Sequence, residues 1–571
     1  MKKSLLFIFL LVLSISLIGC NSNQVETPNI NSDDVVGKTE DIEISEDKVT
    51  SDFSLVDEHG LAVDANNGIY MITTAGTYYA KGKLDGGQIY VDASEAIIEI
   101  ELDGVSISNS SVSPIFVKDC DTVTIKVKKD STNYIYDKRT TDCSSTNDDT
   151  IGTAAIYVAN GNLKLSGKGT LSIESNYNSG IHSKDNVSIK NCTLLIKAMN
   201  NGIKGNDQVK IEENPTIGIV CGNNGIKTSN SSVGSSKNHG TIYIYGGTIT
   251  INAYGDAIDA AYAVEIGSSS DSDGNTYTPV IDIYTNKYSS YTLVSEVQTE
   301  AVLTTLAGPG RPSGPGGQGG PGGGGFNGGG FGGGSSAEKA DDSAKGIKAN
   351  ELISITAGEI FIYTYDDGIH TNNDVLDSGV TASANIVISG GVVTIKASDD
   401  GIHADGTLTI NDGTIVIAES HEGLEGKNVE INGGSITISA SDDGVNASKS
   451  ISVSGGLLDV TVSPNGDLDG IDSNGTITIS GGIIITRGPN SEMAAPLDAD
   501  GTMKMTGGTL IVIGYAPRRL TTSGVTKTTS SSGTSSGSHT VTIGDQTITY
   551  NNAYTYSGSC TVFGSATASI K

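Results

Sequence analysis

The sequence has 571 residues and a mass of 58.6 kDa, with 75 glycines and no tryptophan. Its 35 basic and 65 acidic side chains give a formal net charge of −30. That charge excludes a nucleic-acid-binding protein, because a phosphate backbone requires a basic face. The charged fraction of 18% is too low for a solvated, disordered chain. Many glycines with few bulky residues predict many tight turns and few helices.

The start of the chain predicts export and a lipid anchor. Two lysines precede an apolar run over residues 5–18 that is short for a membrane span, and the run ends in a sequence that resembles a bacterial lipobox at Cys20. We expect residues 1–20 to be a lipoprotein signal peptide, cleaved before a lipidated Cys20. The polar segment 21–50 predicts a flexible tether. The alternative is an ordinary signal peptide with a chance cysteine. The mature protein is expected on the extracellular face of a bacterial cell membrane.

Five further cysteines follow the anchor: Cys120, Cys143, Cys192, Cys221 and Cys560. An odd number cannot all pair, and no C-x-x-C is present, which argues against a zinc or redox motif. Cys120 and Cys143 are one possible pair, and the sequence leaves the disulfide state open.

The body of the chain is a repeat built on Gly followed by an aliphatic residue. Most neighbouring copies are about 21 to 26 residues apart, as the series from Gly180-Ile181 to Gly470-Ile471 shows. Between them lie short alternating segments such as Thr414-Ile415-Val416-Ile417, separated by Gly-Gly or Asp-Gly pairs. Three short strands per coil of roughly 22 residues predict an all-β, right-handed parallel β-helix over 51–571. A propeller requires a longer repeat and fits poorly.

Stacked coils place equivalent residues in columns about 4.8 Å apart. One predicted column is small and points inward, and its members are Ala198, Cys221, Ala397 and Ala440. This position predicts that Cys221 is a buried thiol. Two segments interrupt the pattern: the Gly-rich and Pro-containing stretch 308–336 predicts a loop insertion, and the Ser/Thr/Gly-rich stretch 521–540 predicts an exposed loop before a terminal cap.

Carboxylates recur beside the repeat glycine in the C-terminal half. The candidate metal ligands are Asp366, Asp367, Asp399, Asp400, Glu422, Asp442, Asp443, Asp467, Asp469 and Asp472. Like charges about 5 Å apart raise one another's pKa unless a cation compensates them. Ca²⁺ prefers oxygen ligands, so these columns predict calcium sites between coils. The alternative is turn chemistry, in which Asp caps a turn and Gly supplies a positive φ.

Amides and lysines replace the acids in the N-terminal coils. Asn200-Asn201 and Asn223-Asn224 precede their glycines, and an Asn column that hydrogen-bonds along the coils needs no ion. Lys204, Lys227 and Lys348 follow Gly-Ile, where a lysine next to a metal-bound uronate can act as the base of a lyase. The alternative is that these lysines neutralise nearby acids. His182, His370 and His403, in the same position, are interpreted as turn or edge residues.

The sequence is similar to the carbohydrate-binding β-helix proteins first described from cellulose-degrading clostridia. The resemblance covers about 51–571 and rests on 73–78, 87–93, 154–157, 176–181, the repeated Asp-Asp-Gly-Ile, the Gly-rich insertion and 469–475. It implies a right-handed parallel β-helix that binds calcium and plant-wall or acidic polysaccharide. That family also resembles the ninth polysaccharide-lyase family. The Asn pairs stand where family members often have acids, so the calcium edge is expected from about 366 to 500.

Together these features predict a surface-anchored, calcium-dependent, non-catalytic protein that binds polysaccharide of the cellulose or pectin type. Its expected partners are the polysaccharide and, through the anchor, the membrane; no nucleic acid is expected. Two alternatives remain open. One is a calcium-dependent polysaccharide lyase with a lysine base, and the other is a structural or adhesive surface protein that calcium stiffens.

Overall fold

A computed structural model gives the structure of the protein and describes residues 24–26, 52–140, 150–233, 239–285 and 343–571. In these ranges the chain forms strands and no helix. The described ranges contain no helical segment able to cross a membrane. The predicted signal peptide 1–20 with Cys20, most of the tether 21–50, Cys143 and the Gly-rich insertion 308–336 lie outside the described residues.

The N-terminal strands open the stack. They are β1 (Gln24–Glu26), β2 (Ser54–Asp57), β3 (Ala65–Asn66), β4 (Ile69–Ile72), β5 (Gly76–Asp85), β6 (Gln88–Asp92), β7 (Ile97–Asn109), β8 (Ile115–Asp119), β9 (Thr122–Val127) and β10 (Thr132–Asp137). From β4 onward they pair in parallel, with β5 on β7 and β6 on β8. β2 is antiparallel to β5 and protects the first long strand. β1 lies within the predicted tether and pairs in parallel with a C-terminal strand at 546–552.

The first part of the body follows the predicted three-strand coil. Its strands are β11 (Ala154–Val158), β12 (Asn162–Gly167), β13 (Thr170–Ser175), β14 (Ser179–Ser183), β15 (Asn186–Lys190), β16 (Thr193–Ala198), β17 (Ile203–Gly205), β18 (Gln208–Cys221), β19 (Ile226–Lys227), β20 (Thr241–Ala253), β21 (Ile258–Ala260), β22 (Ala263–Ile266), β23 (Ser269–Ser270), β24 (Thr276–Tyr277) and β25 (Val280–Thr285). β13, β14 and β15 stack in register on β16, β17 and β18. The hairpin β23–β24 projects from this stack.

The second part continues the coils after the insertion. Its strands are β26 (Ile347–Ala349), β27 (Leu352–Ile355), β28 (Glu359–Thr364), β29 (Ile369–Thr371), β30 (Asn385–Ala397), β31 (Ile402–Ser420), β32 (Leu424–Ile431), β33 (Ser435–Ala440), β34 (Val445–Val453), β35 (Leu457–Thr461), β36 (Ile471–Ser473), β37 (Thr476–Ile479), β38 (Ile483–Arg487), β39 (Met503–Met505) and β40 (Thr509–Gly514). β21 pairs with β26 and β25 with β28, so the coil continues across the insertion.

An antiparallel cap closes the C-terminal end. Its strands are β41 (Leu520–Thr522), β42 (Thr526–Ser530), β43 (Gly537–Ile543), β44 (Gln546–Asn552), β45 (Ser559–Gly564) and β46 (Ala568–Ile570). β45 pairs antiparallel with both β40 and β42. The prediction of one loop over 521–540 was wrong, because β42 and the start of β43 lie within it. These Ser- and Thr-rich strands alternate along the sheet and need few apolar residues, so composition alone did not reveal them.

Columns of aliphatic side chains fill the interior. One buried column runs through most of the solenoid and consists of Val123, Leu163, Val187, Val209, Ile242, Val264, Ile353, Ile386, Leu408, Val429, Ile451, Ile477 and Met503. Alternation of side chains along each strand places every second residue of a strand in this core. The structure therefore confirms an all-β class with mostly parallel strands and a solenoid-like stack.

The small-residue column is largely as predicted. Ala198 pairs with Cys221, and both are fully buried. Ala397 is also buried, whereas Ala440 is half-buried. Burial raises the pKa of the Cys221 thiol to about 12, which makes it unreactive at neutral pH. Cys120, Cys192 and Cys560 are likewise buried free thiols in the described part of the chain.

Candidate functional site

Three columns of polar residues run along one edge of the solenoid beside the repeat glycines. The first column lies two residues before the glycine and contains Asn178, Asn200, Asn223, Asp366, Asp399, His421 and Asp442. The second column lies directly before the glycine, or the alanine at 257, and contains Asn201, Asn224, Asp256, Lys345, Asp367, Asp400, Glu422, Asp443 and Asp469. The third column lies two residues after the glycine and contains His182, Lys204, Lys227, Asp259, Lys348, His370, His403, Glu425, Asn446 and Asp472.

Close packing between coils requires the repeat glycines. A Cβ on Gly401 would lie 2.7 Å from the carbonyl oxygen of Gly423 and 2.7 Å from Cδ1 of Ile417. Gly368 is equally confined. Neither residue has the positive φ that the turn alternative assigned to the glycine. Positive φ values occur instead at the second residue of several Gly-Gly pairs, such as Gly434. The repeat glycine therefore lets one coil touch the next and brings the three columns close together.

The second column ties one oxygen of its acidic side chains to the backbone. Oδ1 of Asp367 accepts the N–H of Asp400 at 3.1 Å, and Oδ1 of Asp400 accepts the N–H of Glu422 at 3.1 Å. Asp443 accepts the N–H of Asp469 at 2.6 Å in the same way. Because these backbone hydrogen bonds use only Oδ1, the second oxygen of each carboxylate is free to contact other groups. Turn chemistry and cation binding are therefore not alternatives at these positions, because each uses a different oxygen.

The first column begins as the predicted ladder of amides. Nδ2 of Asn223 donates to Oδ1 of Asn200 at 2.9 Å, and Nδ2 of Asn200 donates to Oδ1 of Asn178 at 2.8 Å. Each side chain thus satisfies its neighbour in the adjacent coil without any net charge. The amide ladder accounts for the absence of acid in these N-terminal coils.

Lysines neutralise the first acids of the edge. Nζ of Lys345 lies 2.8 Å from Oδ1 of Asp366 and 2.7 Å from Oδ2 of Asp367. Lys348 lies 3.5 Å from the buried Asp256, and Lys227 is paired with Asp259. Desolvation opposes the charge on Lys345, but Asp367 and Asp366 outweigh it and raise its pKa. Lys227 and Lys348, two of the three lysines named from the sequence, therefore neutralise acids. Lys345 does so as well, although the sequence did not predict it.

Histidines take the place of lysines in the middle of the edge. His370 contacts Asp367 through Nδ1, and Nδ1 of His403 lies 3.3 Å from Asp400 and 3.1 Å from Glu425. The two imidazole rings are in contact, with their centroids 4.5 Å apart and their planes tilted by 41°. Burial opposes the charge on His403, but Asp400 and Glu425 raise its pKa to about 9. The sequence placed these histidines in the right column but interpreted them as edge residues.

Uncompensated acids occupy the C-terminal coils. Burial, followed by the charge of neighbouring acids, raises the pKa of Glu422 to about 8, and that of Asp472 to about 6. Burial and the charges of Asp443 and Asp472 raise the pKa of Asp469 to about 7, against the hydrogen bond from the N–H of Ala495. Among the described residues no Lys or Arg forms an ion pair with Asp443, Asp469 or Asp472. These coils therefore lack a cation that the earlier coils carry.

The structure brings together most of the predicted ligands. Sets of three side chains whose ligand atoms all lie within 4.8 Å of one another are Asp366–Asp367–Asp399, Asp399–Asp400–His421, His421–Glu422–Asp442, Asp367–His370–His403 and Asp400–His403–Glu425. Asp443, Asp469 and Asp472 lie in the second and third columns beyond them. Asp467 does not join the edge: it is exposed, and Leu468 takes the first-column position. The shift arises because the preceding coil is longer by a loop at 463–467.

The donor sets differ along the edge in the cation they suit. Asp443, Asp469 and Asp472 offer only oxygen atoms, which is the donor type that Ca²⁺ prefers. Asp366 and Asp367 also offer oxygen but already contact Lys345. The histidine-bearing sets combine nitrogen with oxygen, a mixture less suited to calcium. By donor type alone, the C-terminal coils suit calcium better than the start of the predicted edge; among the described residues, Asp443, Asp469 and Asp472 are not one of the sets with ligand atoms within 4.8 Å.

Comparisons with known proteins identify a family to which the sequence is similar. The model of the family described as "Carbohydrate-binding domain-containing protein" matches residues 66–377, 373–423 and 422–558. A carbohydrate-binding domain-containing protein of Acetivibrio thermocellus is 31% identical over 198 residues, which are 34% of this chain and 65% of the relative. The matched region thus spans just under two thirds of that relative's own length.

A solved structure is also similar to part of the chain. It is described as a polysaccharide lyase-like protein from C. thermocellum in a gadolinium derivative, and it shares 30% sequence identity. The alignment covers 39% of this chain and 84% of that chain, with a TM-score of 0.34. The resemblance that the repeat motifs indicated is confirmed by the family match, which extends over most of the chain: this protein belongs to the carbohydrate-binding domain-containing protein family.

Proposed function

We propose that this protein is a calcium-dependent, non-catalytic carbohydrate-binding protein that recognises acidic or plant-wall polysaccharide, of the pectin or cellulose type. Membership of a carbohydrate-binding family supports the ligand class. The single observation that carries the calcium dependence is the set of acids in the C-terminal coils that no described Lys or Arg neutralises. Burial and mutual repulsion raise the pKa of Asp469 and Asp472, so a divalent cation there would relieve a real electrostatic cost.

A bound calcium ion also provides the link to the ligand. The protein carries a net charge of −30 and would otherwise repel a polyanion. Ca²⁺ takes six to eight oxygen ligands, more than two or three side chains supply. Asp443, Asp469 and Asp472 are the residues that would hold it, and the remaining coordination positions would accept a uronate carboxylate.

We further propose the position and shape of the molecule in the cell envelope. Lipidation at Cys20 would hold the solenoid on the outer face of a bacterial cell membrane, with residues 21–50 as the tether. The coil is proposed to be right-handed, which is the hand that crossovers between parallel strands adopt. Labelling with palmitate in the producing cell, compared with the Cys20→Ser variant, tests the anchor.

Retention on polysaccharide tests the function. The full chain is applied to polygalacturonate and to cellulose, each with calcium and with a chelator, while ultraviolet absorbance reports any unsaturated product. We expect calcium-dependent retention on polygalacturonate and no product. The double variant Asp469→Asn with Asp472→Asn should lose most of the retention, whereas Asp545→Asn, an exposed carboxyl in the cap, should not. Folding that requires calcium without any retention would instead indicate a structural or adhesive protein.

One observation favours the lyase alternative. Lys204 is half-buried, its pKa is lowered by burial and by Lys227, and it has no ion pair in the described part of the chain. A proton-abstracting lysine requires such a lowered pKa. Against it, four coil steps of about 4.8 Å separate Lys204 from His370, where the metal-ligating sets begin. Product formation that Lys204→Met abolishes would establish a lyase and contradict the non-catalytic proposal.

A further inference from the structure

The middle of the edge holds a set of side chains unlike the rest of the columns. Asp400 precedes β31, His403 lies on β31 and Glu425 lies on β32 of the adjacent coil, and their ligand atoms lie within 4.8 Å of one another. Asp400 is buried, and His403 and Glu425 are half-buried. Asp367 and His370 form a second set that shares His403. Because both sets contain His403, they describe one location rather than two.

Two distances at His403 are close to those between ligands of one small metal ion. Nδ1 of His403 lies 3.3 Å from Oδ2 of Asp400 and 3.1 Å from Oε2 of Glu425. Ligand atoms that share a tetrahedral zinc ion, at about 2.0–2.2 Å from it, are roughly 3.3–3.6 Å apart. The three atoms therefore need only small adjustments to ligate a single ion. Three protein ligands with a fourth position left open also match the usual number at a catalytic zinc site.

A carboxylate also lies near the other nitrogen of His403. Nε2 lies 3.5 Å from Oδ1 of Asp405. Asp405 is held in turn, because its Oδ2 accepts the backbone N–H of Asn373 at 3.0 Å. A carboxylate behind the ligating histidine fixes the orientation and tautomer of the ring. This contact is independent of the acidic cluster itself, and it directs Nδ1 of His403 toward Asp400 and Glu425.

The surroundings separate this location from both ends of the edge. On the N-terminal side Lys345 already neutralises Asp366 and Asp367. On the C-terminal side Asn446 replaces the third-column histidine and donates to Glu422 at 3.2 Å. Imidazole nitrogen suits zinc and related transition metals, whereas calcium selects oxygen.

We propose that Asp400, His403 and Glu425 form a binding site for a transition-metal dication of the zinc type, oriented by Asp405 and distinct from the calcium-binding coils. The ring of His370 lies beside that of His403, with the two planes tilted by 41°. The edge thus binds two classes of cation at different coils. Zinc binding does not require carbohydrate binding. The zinc proposal can therefore be tested independently of the proposed function.

Titration of the chelator-stripped full chain with Zn²⁺, followed by calorimetry in the presence of excess Ca²⁺, tests the site. We expect one zinc ion per chain that calcium does not displace. Co²⁺ as a probe should give visible absorption bands of a nitrogen-containing, low-coordination site. Displacement of zinc by calcium, or the absence of zinc binding, would overturn the proposal.

Matched variants locate the ion. His403→Gln should weaken zinc binding at least 100-fold, and Asp405→Asn about 10- to 100-fold. His539→Gln, which changes a half-buried histidine of the cap, should leave it unchanged. Circular dichroism checks that each variant is folded, and the cobalt spectrum of the unaltered chain serves as evidence even where a variant does not fold. Loss of zinc in His421→Gln together with full binding in His403→Gln would place the ion elsewhere and refute the assignment.

Discussion

At the scale of single residues, the two oxygens of three second-column carboxylates have different roles. Oδ1 of Asp367, Asp400 and Asp443 accepts a backbone N–H of the next coil, and the other oxygen turns to a lysine, a histidine or a neighbouring acid. A single side chain therefore contributes both to the stacking of coils and to the electrostatics of the surface. Loss of one such residue should affect folding as well as cation binding.

The repeat glycine offers a test at the same scale. Gly401→Ala should lower the free energy of unfolding by about 1–3 kcal/mol, because its Cβ would meet the Gly423 carbonyl oxygen at 2.7 Å. Gly426→Ala is the matched control, since the nearest atom to its Cβ would be 3.1 Å away. Chemical denaturation of both variants measures the difference. Equal midpoints in the two proteins would contradict a role for close coil packing.

At the scale of the strands, the sequence predicted most of the architecture. The period of the Gly-Ile motif and the alternation along segments such as 414–417 indicated three strands per coil, and these strands are present. The sequence also predicted the columns, because residues one repeat apart in the sequence become neighbours when the coils stack. The amide ladder through Asn200 and Asn223 was predicted in this way, and the structure extends it to Asn178.

Contacts that cross from one column to another were harder to predict. Lys345 lies just after the insertion, where the period is broken, so the sequence did not align it with Asp367. The His403–Glu425 contact joins adjacent coils through side-chain direction, which spacing does not specify. A one-loop difference likewise moved Asp467 off the edge. The pattern thus gives the column of a residue but not the partner of its side chain.

One buried arginine contributes to the join between the last coils and the cap. Arg487 on β38 is fully buried, pairs with Asp459 on β35 and donates through Nε to Asn552 on β44 at 2.8 Å. It therefore links two coils to the cap in a region that excludes solvent. An unpaired charge in such a place is strongly destabilising.

Removal of its partner should show this dependence. Asp459→Ala should destabilise the protein by about 3–5 kcal/mol, because it leaves the buried guanidinium of Arg487 without its ion-pair partner. Arg519→Ala removes the exposed ion pair with Asp498 and should cost at most about 1 kcal/mol. Denaturant unfolding monitored by tyrosine fluorescence compares the two. A smaller loss in Asp459→Ala than in Arg519→Ala would refute the role assigned to Arg487.

At the scale of the whole molecule, the uncompensated acids make the stability depend on pH. The folded-state pKa values of Glu422, Asp469 and Asp472 are raised to about 8, 7 and 6, so their ionised forms disfavour the folded state. This cost is fully present above those values and disappears as the pH falls toward the ordinary values. His403 acts in the same direction: its raised pKa of about 9 gives stability that is complete below about 6.5 and is lost as the pH rises through 9.

The metal-free protein should therefore become more stable on acidification from about pH 9 to pH 5, by on the order of 2 kcal/mol after solvent screening. Saturating Ca²⁺ should flatten the profile, because it compensates the same carboxylates. The variant Asp469→Asn with Asp472→Asn should have a shallower slope without calcium. Denaturation across this pH range in chelator and in calcium measures the effect. A metal-free protein that loses stability between pH 9 and 5 would be incompatible with these pKa shifts.

The arrangement of the second and third columns has a consequence for how this surface can diversify. One oxygen of a second-column carboxylate accepts a backbone N–H of the next coil, whereas its other oxygen faces a third-column group such as His370 or His403. A substitution in the third column, from Lys348 to His370 to Asn446 in successive parts of the chain, changes the local charge and leaves the backbone contact in place. The same fold can thus acquire a new ion preference in one coil at a time, through single substitutions that leave the backbone contacts between coils unchanged.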